Sequence, residues 1–202
     1  MGPNVSSIWG NELVKDDCSP LFGLSAGLTL DYTKHKKPGL RSGVYFERKG
    51  STIRVELMDR SGHVAGTTES KTTFDYISIP IHVQVHFGGR VQMFVSGGGY
   101  LAYLYQAKQY TNTMPYYPAI TSYITEYYLP IDWGISLAIG ATWPLSPAYS
   151  LSFECRDNLG LRNISKLPVS KNQVVRTNMF NLGVGLHYLL RMRPKTRKNN
   201  NM

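Results

Sequence analysis

Apolar and polar side chains alternate at a period of two in one segment of this chain after another, while no window holds apolar residues at helical spacing. In 74–87, Ile77, Ile79, Ile81, Val83, Val85 and Phe87 alternate with Tyr76, Ser78, His82, Gln84 and His86. In 130–143, Ile131, Trp133, Ile135, Leu137, Ile139, Ala141 and Trp143 alternate with Asp132, Gly134, Ser136, Ala138, Gly140 and Thr142. The same rhythm marks 21–33, 40–49, 91–107, 149–161 and 179–190, although Phe94, Tyr100 and Leu104 interrupt the polar face of the third of these. Another segment, 6–14, carries the pattern only faintly. An all-β protein is predicted, and 12% aromatic against 17% charged residues suits strands better than solvated helices.

The connections between segments alternate in length. Short ones fall at 34–39, 88–90 and 144–148, and long ones at about 50–73, 108–129 and 160–178. Tight turns at one rim and long loops at the other describe an up-and-down antiparallel transmembrane β-barrel of about eight strands, with periplasmic turns and extracellular loops. The chain divides into an N-terminal segment 1–19 holding a partial first strand, a barrel over 20–190, and a basic tail 191–202 expected to be disordered. No stretch approaches the ~20 apolar residues of a membrane helix, and residues 1–20 lack an apolar signal region, so an exported form has already shed its leader. Cys18 and Cys155 read as two unpaired thiols or a single bridge.

Which face carries the bulk decides between two barrels. A soluble lipocalin-like carrier of a small apolar ligand points its aliphatics inward, and a membrane barrel points them at lipid. The polar face here is rich in Gly, Ala, Ser and Thr, as a crowded interior would be, where a water-facing strand would show Lys and Glu. Its charged members, Arg41, Glu47, Lys49, Glu154 and Arg156, carry both signs and are expected to neutralise one another in the lumen. Trp133 and Trp143 stand ten residues apart on one strand, a spacing that roughly matches the ~25 Å apolar band, and with Tyr188 they read as membrane-interface aromatics. Two core tryptophans of a soluble sandwich are the competing account.

Sites of chemistry are few. His82 and His86 share a face but lie ~13 Å apart on a strand, so they fit a lumen polar network with Arg41, Glu47, Glu154 and Arg156 better than a metal site. Glu47 and Glu154 lack the nucleophile, metal ligands or cofactor motif that acid–base catalysis needs, and pairing with Arg41 or Arg156 is the expected role. Gly97, Gly98 and Gly99 sit inside a strand pattern and report close approach across a narrow lumen, with no phosphate loop. The tyrosines Tyr110, Tyr116, Tyr117, Tyr123, Tyr127 and Tyr128 of one long connection are the candidates for recognition. The net charge is +9, and five of those charges come from Arg191, Arg193, Lys195, Arg197 and Lys198. A solvated tail explains them ahead of a nucleic-acid arm or headgroup attraction.

Several short pieces in order resemble the PorT-like outer-membrane β-barrel family of Bacteroidetes-type bacteria: SGVYFERKGS (42–51), FDYISIPIHVQVHFGG (74–89), VSGGGYLAYL (95–104), IDWGISLAIGATWPLS (131–146), ECRDNLGLRNI (154–164) and FNLGVGLHYLL (180–190). The resemblance implies an eight-stranded outer-membrane barrel without catalytic residues, and its name-giving member is associated with protein secretion. The expectation is a monomeric, cofactor-free anchor or display scaffold with outer-membrane lipid and envelope or secretion-system proteins as partners, and no nucleic acid. A soluble carrier is the alternative, and an outer-membrane lipid-modifying enzyme a more distant one.

Overall fold

The computed structural model describes residues 1–11, 18–32, 38–58, 64–112, 118–166 and 173–190. Its strands are β1 (Gly2–Asn11), β2 (Cys18–Tyr32), β3 (Gly39–Met58), β4 (Val64–Gly88), β5 (Gln92–Thr111), β6 (Ile120–Tyr123), β7 (Ile131–Pro144), β8 (Tyr149–Gly160) and β9 (Gln173–Tyr188), with one 3-10 turn at Thr125–Tyr127. Every pairing between these strands is antiparallel, and β4 pairs with β5 as well as β3. Eight strands therefore close into a ring, and β6 stands outside it against the end of β5. Closure removes the unpaired edges that a bilayer would penalise.

The stagger of the ring follows from its register. Moving from partner to partner, Phe22 leads through Val5, Phe180, Asp157, Leu137, Gly97, Val83 and Leu40 to Tyr32, ten residues further along β2. Eight strands with that stagger tilt by about 40°. Ten residues then descend roughly 25 Å, the height of a membrane barrel's apolar band. Leu137 is halfway around the circuit, and Trp133, four residues above it, falls at about the height of Phe22. Trp143 and Tyr188 fall near Tyr32 at the other end.

The alternation resolves into two opposite surfaces. Leu28, Leu30, Ile79, Ile81, Val83, Ile135, Leu137, Ile139, Leu182 and Val184 all face outward and are exposed, Leu28 at 82%. Asn4, Ser25, Arg41, Glu47, His82, Ser96, Ser136 and Arg156 face inward and are buried. A soluble carrier with this exterior would present a continuous apolar belt to water, so the lipocalin-like alternative is excluded.

Three expectations change. Residues 1–19 contain all of β1 and the start of β2. The strand was faint because its inward positions are the polar Asn4 and Ser6 while its outward ones, Pro3, Val5 and Ser7, supply a single bulky aliphatic. The long segment 50–73 is mostly prolonged β3 and β4, paired from Gly50↔Thr73 to Met58↔Val64, and part of 160–178 is the start of β9. Here the inward residues, Ser51, Thr68, Ser70 and Thr72, are buried but polar and the outward ones meet no lipid, so backbone pairing persists without an apolar alternation. The glycine at 98 answers to the wall itself: an added Cβ would stand 1.9 Å from the Ile81 carbonyl oxygen of the adjoining strand. The β4–β5 turn rests on Gly88, whose φ of +108° disfavours any side chain.

Candidate functional site

The lumen is filled from end to end, in layers set by the stagger of the strands. Near the long-loop end lies an ionic layer. The Glu47 carboxylate accepts from Arg156 Nη2 at 3.0 Å and Asn158 Nδ2 at 3.3 Å. Lys49 Nζ stands 3.9 Å from Glu47 and 3.6 Å from Asp132, fully enclosed, with the rings of Tyr76 and Tyr100 at 5.1 and 4.6 Å. Asp132 also accepts from Thr177 at 2.8 Å and Tyr100 at 3.3 Å. Two cations thus face two carboxylates, with aromatic faces beside Lys49 adding to the attraction, while Lys49 Nζ, Glu47 Oε2 and Asp132 Oδ1 are buried without a hydrogen bond of their own among the described residues.

Toward the short-turn end the Arg41 guanidinium holds Asp31 in a bidentate pair at 2.6 and 2.9 Å and donates to Glu154. It lies 4.4 Å from the Phe94 ring, and that ring lies over Gly140, the cross-strand partner of Phe94 on β7, where an added Cβ would meet it at 2.4 Å. His82 shares a hydrogen bond with Ser96 Oγ at 3.3 Å and His86 one with Gln84 at 2.9 Å, so the two imidazoles serve separate neighbours. Among the described residues no three of His, Cys, Asp or Glu gather as metal ligands.

The charged residues singled out from the sequence are therefore partitioned: Arg41 with Glu154, and Glu47 with Arg156. Asp31, Lys49 and Asp132 complete the two groups; Lys49 was among the charges expected to be neutralised in the lumen, and sequence reasoning left out Asp31 and Asp132. Asp132 passed as filler beside Trp133, although a lone acid amid Gly, Ser and Ala on a lumen face is itself a sign of a buried partner.

One trio has the order of a hydrolase relay. Ser152 Oγ lies 2.7 Å from His187 Nε2, and His187 Nδ1 lies 3.4 Å from Asp31 Oδ2. Asp31 is already committed to Arg41, and Ser152 is 5% exposed within the wall, contacting the Gly185 carbonyl. The arrangement ties β2, β8 and β9 together and leaves the serine no open approach for an acyl group.

The long-loop end is capped by an apolar cluster of Phe74, Tyr76, Tyr100, Leu104 and Ile164, against which Ile8, Ile124, Tyr128 and Val175 pack. Tyr100 and Leu104, which blurred the pattern of β5, belong to this cluster, while Phe94, which blurred it too, is buried lower down beside Arg41. Two connections fold over the mouth and join through Leu129 N–H to the Ile164 carbonyl at 2.7 Å and Lys166 N–H to the Tyr127 carbonyl at 2.9 Å. Of the recognition tyrosines, Tyr110, Tyr123 and Tyr127 are exposed. Tyr128 instead turns inward edge-on to Phe74, 4.7 Å between centroids, and burial pushes its phenol pKa up. Tyr116 and Tyr117 lie outside the described residues, as does the tail 191–202. Trp133, Trp143 and Tyr188 all face outward, Tyr188 beside Tyr149 at 5.3 Å.

The chain matches a family described as outer membrane protein beta-barrel domain over residues 2–166. No curated protein matches it. Among solved structures it is similar to neisserial surface protein A, with 14% identity, 93% of each chain covered and a TM-score of 0.47. It is also similar to Ail, the attachment invasion locus protein of Yersinia pestis, in complex with the heparin analogue sucrose octasulfate, with 13% identity over 93% of this chain and 98% of that one and a TM-score of 0.30.

Proposed function

The chain belongs to the outer membrane β-barrel family and resides in the bacterial outer membrane, and from that premise we propose that it is a sealed anchor displaying its long-loop end for recognition at the cell surface. The observation that carries this reading is the filled lumen. Glu47, Lys49, Asp132 and Arg156 occupy one level, Arg41 with Phe94 another, and the Phe74 cluster covers the mouth. A ring of eight strands has room inside for side chains and little else. Function then falls to the outer rim, where Tyr110, Tyr123 and Tyr127 present amphipathic rings. Envelope proteins and outer-membrane lipid are the partners this reading assigns, a monomer the state, and catalysis no part of it. Affiliation with the PorT-like branch is supported by the six ordered segments between 42 and 190, and a secretion role would follow only from partners found there.

Two measurements test the reading. In planar bilayers the purified protein is expected to leave the membrane electrically silent, and stable stepwise conductance would refute a sealed lumen. On intact cells carrying the Cys18→Ser, Cys155→Ser background, Tyr123→Cys is expected to react with a membrane-impermeant maleimide and Arg90→Cys to react only after permeabilisation. The reverse pattern would put the long loops in the periplasm and end the display hypothesis.

A further inference from the structure

On the outer wall, β2 parts from β3. Pro20 pairs with Ser51 but the next partner pair is Ser25↔Glu47, so four residues of β2 span three of β3. The separation opens a groove of about 370 Å3 lined by Pro20, Leu21, Phe22, Arg54, Glu69 and Lys71, with Ser19 and Thr52 completing it. Its floor is apolar: Phe22 is 80% exposed at the height of the Trp133 girdle, and Leu24 and Leu28 continue that surface down the bilayer. Its upper wall is cationic. Lys71 has no ion-pair partner among the described residues, and Arg54 is only loosely engaged by Glu69 at 3.8 Å, both of those side chains being largely exposed.

Height decides what can occupy it. Lys71 pairs with Thr52, and the register places it and Arg54 roughly 10–15 Å above Phe22, within side-chain reach of the outer-leaflet headgroup layer. An apolar floor running down into the bilayer beneath two cations complements an amphiphile with anionic head and acyl tail. We propose that this groove binds the phosphorylated headgroup of an outer-leaflet glycolipid, with phosphate between Lys71 and Arg54 and an acyl chain along Phe22, Leu24 and Leu28. Two basic residues near a membrane surface attract anionic lipid strongly enough to measure individually. Glu69 disfavours a second phosphate close to Arg54, so the groove engages a single phosphate of one lipid, and one lipid per barrel is the expected load.

The test is native mass spectrometry of the detergent-released full chain, supplied in turn with bisphosphorylated lipid A, dephosphorylated lipid A and inorganic phosphate. Wild type is expected to retain one bisphosphorylated lipid A. The Arg54→Gln/Lys71→Gln pair should weaken retention roughly thirtyfold, Phe22→Ser should weaken it separately, and Arg90→Gln in the β4–β5 turn should leave it unchanged. All substituted sites are exposed, and faster gel mobility unheated than boiled verifies that each variant is folded. Equal retention of dephosphorylated lipid A, undiminished retention by Arg54→Gln/Lys71→Gln, or displacement by inorganic phosphate at matched concentration would each overturn the proposal, the last by identifying a free-phosphate site.

Discussion

Replacing Glu47 with alanine is expected to destabilise the folded barrel by about 3–5 kcal/mol, the cost of breaking a buried ion pair from one side. Its carboxylate is the shared acceptor of Arg156 at 3.0 Å and Asn158 at 3.3 Å and lies 3.9 Å from Lys49. Without it, two buried cations, Lys49 and Arg156, face Asp132 alone. Glu47→Gln keeps an oxygen for Arg156 and Asn158 and should cost less than alanine. Urea unfolding in detergent micelles, followed by the heat-dependent gel shift, measures both. An alanine variant within about 1 kcal/mol of wild type would show that the lumen admits enough solvent to relieve these charges.

Leu137→Arg should cost about 2–4 kcal/mol in bilayer folding titrations, because it places a charge on the lipid face near the midplane. Leu137 is 60% exposed and lies on β7 between Trp133 and Trp143. The same substitution at Leu145, in the short turn beyond Trp143, is expected to cost about 1 kcal/mol or less, since the penalty falls away near the interface. Equal, small effects at both positions would mean that the exposed aliphatics do not face hydrocarbon.

Much of this architecture was legible because strand periodicity marks the two faces directly. Ile77 through Phe87 and Ile131 through Trp143 needed no partner information to be placed. The ion pairs could not be read the same way. Arg41 meets Glu154, and Glu47 meets Arg156, more than a hundred positions along the chain, and a ten-residue stagger decides which levels coincide. Periodicity also cannot tell an inward aromatic from an error in the pattern, which is why Phe94, Tyr100 and Leu104 looked like noise in β5 although they close the lumen. Strand length beyond the membrane was hidden for a related reason: Thr68 and Ser70 are buried yet polar, and above the lipid no face has to be greasy for β3 and β4 to stay paired. The groove beside Pro20 depends on a slipped register that no local pattern announces.

The docking of Tyr128 and Ile164 onto the Phe74 cluster has an evolutionary consequence. Both connections are pinned at their roots, so exposed residues beside them, such as Ile120 and Tyr123, can be exchanged without loosening the stopper beneath. A barrel built this way can vary its rim over generations while inheriting its interior intact.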